Sequence, residues 1–203
     1  LKLVSGTHGT AGAVYATEIE TFSRIVANGV AGNGPASFTV TTRNGLIYDY
    51  GGTVDSRVYA GASTTIRAWA LSRVRDRAGA GTGNAITLAY FNEAQFGAYT
   101  NGTHRIASIA YPITATGAGP FYRVDFAYSA RPASDVPTGY LAGNLVRDPY
   151  QLDQIAIQVI GAATPIKTYV LGYEIAPVSQ RLRLASVQEC AASTCLQPTA
   201  ITY

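Results

Sequence analysis

Residues 83–92 read GNAITLAYFN, in which a glycine turn leads into alternating apolar and small residues that close on Tyr90. The same alternation returns three times, at 124–128, 170–173 and 200–203, and each copy ends in tyrosine. Alternation with a period of two residues indicates β-strands that present one side to a core. The repeated ending therefore predicts several similar strands that lie side by side in one sheet.

A second shared pattern precedes each of these strands, with two apolar residues three apart behind a polar residue. Its four copies are LSRV (71–74), RIASI (105–109), QLDQI (151–155) and RLASV (183–187). A turn-rich stretch separates each copy from the strand that ends in tyrosine, so the pair forms a repeating supersecondary unit that buries its face on its neighbours. We expect each terminal tyrosine to pack on the next hairpin, while its hydroxyl reaches solvent or a backbone group.

The clearest hairpin is FTVTTRNGLIYDYGG at 38–52. Asn44 and Gly45 predict a two-residue type I′ turn, since both tolerate positive φ. Residues 16–21 also alternate, and their β-branched side chains favour a strand over a short helix. The stretch 63–77 predicts one strand or a pair of strands, with Trp69 as its largest anchor.

These patterns predict an all-β fold of successive antiparallel hairpins that form a curved sheet or partial shell, with minimal helix. We treat residues 1–203 as one β-rich module, with an initial segment at 1–35 and hairpin repeats at 36–203. The sequence has no methionine, signal peptide or apolar run long enough for a bilayer, so we expect a processed product or a fragment of a longer chain.

The composition fits this fold. Hydrophobic residues make up 47% of the 203 residues and charged residues only 13%, about half the usual charged share. Such a chain has ample apolar surface to bury, which argues against disorder. The low charge suits sheets that another component covers, or a protein that works outside the cytosol.

The two cysteines, Cys190 and Cys195, have a four-residue gap between strand-like flanks, which favours a disulfide clip across a hairpin. A zinc site would need two more ligands, and His8 and His104 have no metal spacing. A catalytic dithiol prefers two intervening residues. A structural disulfide is the favoured interpretation, and it points to an exported protein.

Candidate chemistry is sparse. Glu18 and Glu20 form an E-x-E pair like that of ADP-ribosyltransferases, but no strand with a preceding arginine accompanies it. No carboxylate pair stands out for glycoside cleavage, and no G-x-S-x-G elbow appears. GAGTG at 79–83 lacks the lysine and helix of a phosphate loop. We therefore assign no catalytic residue, cofactor or metal.

Four arginines recur near the middle of the chain, at Arg67, Arg73, Arg75 and Arg77. On a strand the last three would share a face, as in a phosphate or nucleic-acid patch. No stacking aromatics interleave with them, so we favour pairing with carboxylates such as Asp76 and Asp55, and we expect no nucleic-acid partner.

An ordered series of segments resembles the YD-repeat (RHS-like) proteins, and within them the SpvB-like and insecticidal toxin-complex B proteins. The segments are TEIETFSRIVANG (17–29), GPASFTVTTRNGLIYDYGGTVDSRV (34–58), RAWALSRVRDR (67–77), GNAITLAY (83–90), HRIASIAY (104–111), FAYSARP (126–132) and RLRLASVQECAASTCLQPTAITY (181–203). One departure is DRAGAGTGNAI at 76–86, a lengthened turn where DRNGNAI would be expected.

The resemblance implies a secreted bacterial multidomain protein, in which this segment belongs to a β-shell that encloses or presents a toxin region. Its expected partners are neighbouring shell or propeller modules. The leading function is thus a non-catalytic scaffold, with no membrane span. A carbohydrate-binding module is the alternative, with Trp69, Tyr90, Tyr128 and Tyr173 as candidate binding aromatics, and a glycan-active enzyme is third.

Overall fold

The computed structural model describes residues 1–77 and 84–203, and these residues form β-strands joined by turns. The strands of the main sheet are β1 (Lys2–Ser5), β2 (Val14–Ala16), β3 (Arg24–Asn28), β4 (Ser37–Thr41), β5 (Ile47–Tyr50), β8 (Leu71–Arg75), β9 (Ala85–Asn92), β10 (His104–Ile113), β11 (Tyr122–Ala130), β14 (Tyr150–Val159), β15 (Lys167–Ile175), β16 (Leu182–Ala191), β17 (Thr194–Cys195) and β18 (Thr199–Ala200). Two separate hairpins are β6 (Arg57–Tyr59) with β7 (Ile66–Trp69), and β12 (Thr138–Leu141) with β13 (Asn144–Arg147). The one helical element in the described ranges is a 3-10 turn at Ala133–Asp135.

The main sheet is antiparallel throughout and follows chain order from β1 to β17, except where the two hairpins leave it. β5 pairs with β8 across the β6–β7 hairpin, and β11 pairs with β14 across the β12–β13 hairpin. Residues 1–35 supply β1 to β3 at one end of this same sheet. The prediction of an all-β fold built from successive antiparallel hairpins is confirmed.

The best-packed part of the molecule lies on β2 to β4. Tyr15 and Ile25 are buried there, with Phe38 packed against them. Trp69 of β7 meets the Phe38 ring edge-on, 4.9 Å between centroids, and covers this end of the sheet. A Cβ at Gly51 would collide with the Trp69 ring, so only glycine lets the indole lie this close to the backbone.

Register divides the side chains of β9 to β15 between two unlike faces, because residues directly opposite in neighbouring strands point to the same side. The apolar face carries Ile86, Leu88, Ile109, Tyr111, Tyr122, Val124, Phe126, Ile155, Ile157, Val159, Tyr169 and Leu171. Lys167, which lies opposite Ile157, is a charged residue on the same face. The polar face carries Thr87, Ala89, Ser108, Ala110, Arg123, Asp125, Ala127, Gln154, Ala156, Gln158, Thr168 and Val170.

Among the described strands, none packs as a second layer on the apolar face. Its twelve apolar side chains are all half-buried or exposed, with Ile86 and Tyr122 each 41% exposed. The same side of the sheet runs on to Ile25 and Tyr15, which are buried. One end of a continuous apolar surface is therefore covered by the chain itself, and the rest is open.

Local details correct the sequence predictions at two places. The 38–52 hairpin is present, but Thr42 and Leu46 pair across a three-residue loop, and only Gly45 has positive φ there. This is a type I turn followed by a left-handed residue, so the type I′ prediction was wrong. The strand predicted through 16–21 was also wrong, since β2 stops at Ala16 and β3 begins at Arg24.

The stretch 63–77 does form a pair of strands, β7 and β8, which belong to different sheets. The tyrosine-ended strands β9, β11 and β15 continue two residues past their tyrosines, and Tyr203 follows β18. The GAGTG segment at 79–83 and most of the lengthened turn at 76–86 lie outside the described residues. Where the chain is described, no helix has the length and apolar character needed to span a membrane.

Candidate functional site

Tyrosine hydroxyls form hydrogen bonds between strands of the main sheet, at positions where the strand pairing is irregular. We call this set the tyrosine ladder, and its rungs are Tyr90 to Leu71 at 2.7 Å, Tyr128 to Ile106 at 2.9 Å, Tyr173 to Leu152 at 2.7 Å and Tyr203 to Leu184 at 2.8 Å. In each rung the hydroxyl donates to the backbone carbonyl oxygen. The accepting residue is the apolar residue that begins each repeated sequence pattern.

Each acceptor also stands where the strand register shifts by one residue. Such a bulge disrupts the ladder of backbone hydrogen bonds and leaves a backbone group without its usual partner. The tyrosine hydroxyl supplies a partner, which explains why the repeat combines that apolar residue with that tyrosine. Burial raises the pKa of Tyr90, Tyr128 and Tyr173, so all three stay protonated and able to donate.

Two of these tyrosines also line a groove of about 530 Å³. It crosses one end of β10, β11, β14 and β15, and the β6–β7 and β12–β13 hairpins flank it. The side chains that characterise this arginine–tyrosine groove are Arg67, His104, Arg105, Tyr128, Arg131, Arg147, Asp148, Tyr150 and Tyr173. Cationic and phenolic groups thus predominate, with Asp148 as the carboxylate among the lining residues.

A carboxylate beneath the groove organises part of this lining. Glu93 accepts hydrogen bonds from the Tyr150 hydroxyl at 2.6 Å, the Asn101 amide at 2.8 Å and the Thr103 hydroxyl at 3.1 Å. Its ion pair with Arg105 measures 3.5 Å. Burial alone would raise the pKa of Glu93, but these hydrogen bonds and the arginine charge outweigh it and hold that pKa below its ordinary value. The same hydrogen bond acts in the opposite direction on its donor, and it raises the pKa of Tyr150.

The arginines at the base of the groove are fixed in place. The Arg105 guanidinium lies over the Tyr150 ring, 3.5 Å from its centroid. Its Nε is buried and has no hydrogen-bond partner among the described residues. Arg131 pairs with Asp135 at 3.2 Å and donates from Nε to the Tyr150 carbonyl at 2.7 Å. Stacking and pairing of this kind pre-organise the guanidinium groups.

The arginines at the rim are held differently. Arg67 and Arg147 are exposed, and neither pairs with a carboxylate among the described residues. His104 stacks on Tyr90 at 4.3 Å and donates from Nε2 to the Asp55 carbonyl at 3.1 Å. Burial, with the nearby Arg67 charge, lowers the pKa of His104. The imidazole is therefore neutral at neutral pH.

The candidate binding aromatics do not form one cluster. Tyr128 and Tyr173 line the groove and Tyr90 stacks beside it, but Trp69 lies apart and donates from Nε1 to the Pro35 carbonyl at 3.1 Å. Their polar atoms form hydrogen bonds within the fold, and no single cleft among the described residues contains all four.

Cys190 and Cys195 face each other across β16 and β17 and are joined by a disulfide bond.

The carboxylates singled out in the sequence lie elsewhere. Glu18 and Glu20 occupy the exposed loop between β2 and β3, where Glu20 accepts a hydrogen bond from the Phe22 backbone amide. Arg75 pairs with Asp49 at 3.1 Å. The Asp55 carboxylate accepts from the Tyr90 backbone amide at 2.8 Å. Within the described ranges, no three histidine, cysteine or acidic side chains come together as a metal site would require.

Sequence reasoning did not single out the base of the groove. Glu93 and Arg131 directly follow β9 and β11, Arg105 and Tyr150 lie at the starts of β10 and β14, and no common motif joins the four residues. One signal was present, since Arg105 directly precedes Ile106, an acceptor in the tyrosine ladder.

Comparison with solved structures finds the same fold in other proteins. The N-terminal domain of effector protein SpvB from Salmonella typhimurium strain LT2 superposes with a TM-score of 0.66 at 17% identity, over 89% of this chain and 69% of that chain. A TcdB2-TccC3 structure gives 0.69 at 16% identity, and the Photorhabdus luminescens Tc holotoxin pore gives 0.67 at 15%. Both matches cover 94% of this chain and 11% of the longer chain.

No protein-family model matches the sequence, and no curated protein matches it. The structural likeness nevertheless confirms, at the level of the fold, the resemblance to an SpvB-like toxin-complex segment. The chain spans about a tenth of the Tc toxin chains that it matches. The likeness therefore concerns the fold of this chain and does not extend to the activities of those larger assemblies.

Proposed function

We propose that this chain is a non-catalytic scaffold module, one segment of the β-shell of a secreted multidomain toxin-like protein. The observation that carries the proposal is the open apolar face on β9 to β15. A sheet with twelve partly exposed side chains on its more apolar side lacks the second layer that normally completes a core. A neighbouring module of the same or a partner chain supplies that layer.

The accessible surface supports the same conclusion. The chain has a mass of 21.3 kDa and exposes 11428 Å². A folded monomer of this mass exposes roughly 9,100 Å². The excess matches a broad single sheet that is open on both sides, and it is the area that neighbouring modules would cover.

The structural neighbours support a multi-component setting. They include the effector SpvB and chains of a Tc holotoxin pore, and TcdB2-TccC3 is also found in a structure with Cdc42. For the present chain we propose partner shell or propeller modules and an extracellular location.

The absence of catalysis is part of the proposal. Support comes from the E-x-E pair, which lies in an exposed loop away from the groove. We expect neither NAD turnover nor polysaccharide cleavage by the parent chain or by Glu18→Ala/Glu20→Ala. Turnover by the parent that the double substitution abolishes would contradict the proposal.

The scaffold role is tested by changing each face in turn and measuring self-association by light scattering. On the apolar face, Ile86→Ser, Tyr122→Ser and Val159→Ser remove partly exposed side chains. Covering the exposed part of all three stabilises an interface by about 2 kcal/mol, so the triple variant should weaken self-association roughly 30-fold.

The matched control changes the other side of the sheet. Ala89→Ser, Ala127→Ser and Val170→Ser introduce the same three hydroxyl groups at exposed positions of the polar face and should leave association unchanged. Circular dichroism should show the same spectrum for both variants and the parent, which establishes that both are folded. Equal loss in the two variants, or no loss in either, would refute the apolar face as the docking surface.

A further inference from the structure

We infer that the arginine–tyrosine groove binds an extended, carboxylate-rich peptide segment. The groove lies at the strand ends, where alternation along β11 and β15 puts Tyr128 and Tyr173 on the same side of the sheet as Phe126 and Leu171. None of the twelve apolar-face residues lines it. The inference therefore concerns a different set of side chains, with different chemistry, and it does not depend on the scaffold role.

The uncompensated charge of the groove is positive. Arg105 is paired with Glu93, and Arg131 is paired with both Asp135 and Asp148, so these two arginines are neutralised and their positions are set before any ligand arrives. Arg67 and Arg147 stand exposed on opposite hairpins, and no described carboxylate neutralises them. Guanidinium forks match the two oxygens of a carboxylate and form its strongest hydrogen bonds.

The interior already shows how a carboxylate binds in these surroundings. Glu93 accepts hydrogen bonds from a tyrosine hydroxyl and a threonine hydroxyl and also forms an ion pair with the Arg105 guanidinium. Its pKa lies below the ordinary value, which means that this donor set favours the ionised form. A ligand carboxylate in the groove meets guanidinium donors of the same kind on the arginines that line it.

The length of the groove favours a chain over a compact ion. The groove runs across the ends of four adjacent strands, β10, β11, β14 and β15, which contribute His104, Arg105, Tyr128, Tyr150, Leu152 and Tyr173 to its lining. Three strand spacings of about 4.8 Å span roughly 14 Å. An extended peptide advances about 3.3 Å per residue, so about four residues cross the groove. The tyrosine rings supply apolar contact area beneath the peptide backbone.

The test uses fluorescein-labelled hexaglutamate, blocked at both termini, and fluorescence anisotropy with the whole chain. The parent should bind, and added salt should weaken binding because the attraction is between charges. Arg67→Gln/Arg147→Gln should weaken binding about tenfold or more, since each lost charged hydrogen bond is worth over 1 kcal/mol. Both positions are exposed, so the fold should be retained.

The matched control is Arg24→Gln/Arg77→Gln, which removes the same charge from exposed sites outside the groove. This variant should bind hexaglutamate like the parent. No binding by the parent, or equal loss in both variants, would overturn the inference. Tighter binding of a heparin hexasaccharide that also depends on Arg67 and Arg147 would assign the groove to a sulfated glycan instead, and would overturn the peptide assignment. Self-association measured on the same samples reports on the scaffold role separately.

Discussion

Tyr128→Phe isolates one rung of the tyrosine ladder. The substitution deletes the hydroxyl that donates to the Ile106 carbonyl oxygen at 2.9 Å and keeps the aromatic ring. The ring contacts with Phe91 and Arg105 persist, since both involve the aromatic system. Any change in stability therefore reports on the hydroxyl and on the carbonyl that it satisfies.

The size of the effect follows from the position of the bond. A neutral hydrogen bond contributes about 1 kcal/mol, and leaving a buried carbonyl unsatisfied costs about 1–3 kcal/mol. Tyr128 is half-buried, so water replaces part of the lost interaction. We expect a loss of about 1.5 kcal/mol, which lowers the melting temperature of a domain of this size by roughly 3–6 °C.

Urea unfolding followed by circular dichroism measures this loss. Tyr173→Phe should show a similar loss, because its hydroxyl donates to Leu152 in the same arrangement. Tyr140→Phe is the control, since that side chain is 78% exposed, and it should change the free energy of unfolding by less than about 0.5 kcal/mol. If Tyr128→Phe and Tyr173→Phe are as neutral as Tyr140→Phe, the ladder does not stabilise the sheet.

Two further predictions concern the disulfide and the groove. A thiol assay of unreduced protein should detect no free thiol at Cys190 or Cys195. Reduction should lower the free energy of unfolding by at most about 2 kcal/mol, because the closed loop is short. Detection of two reactive thiols would exclude the bond. The lowered pKa of Glu93 means that the unfolded chain binds more protons, so this group stabilises the fold fully above about pH 4.5 and loses that contribution as the pH falls. Glu93→Gln should therefore flatten the dependence of unfolding free energy on pH between about pH 5 and 3, and an unchanged slope in urea titrations would contradict this assignment.

The fold was readable from the sequence because its signals are local. Alternation in GNAITLAY and in the 38–52 hairpin is a property of a few consecutive residues, and each strand pairs mainly with the next. The turn at Asn44 was misassigned because the Asn-Gly pair also suits a longer loop, in which only Gly45 needs positive φ. The choice between these loops depends on whether Thr42 and Leu46 pair, which the dipeptide does not encode.

The groove could not be predicted from the sequence, because its residues are far apart in the chain. Glu93 and Tyr150 are separated by 57 positions, and their hydrogen bond depends on a hairpin that leaves the sheet and returns. The open apolar face was hidden as well, because alternation looks the same whether or not a second layer covers it. The tyrosines were visible in the sequence, but their acceptors became clear only from the register shifts.

The direction of the tyrosine ladder has a consequence for folding. Every hydroxyl donates to a strand that precedes it in the chain, as from Tyr128 back to Ile106 and from Tyr203 back to Leu184. A chain that emerges with its N-terminus first thus finds each acceptor already in place. Since pairing is mostly between consecutive strands, the sheet can grow one strand at a time without waiting for distant contacts. The rungs of the ladder can therefore form in the order in which the chain is synthesised, from Tyr90 to Tyr203.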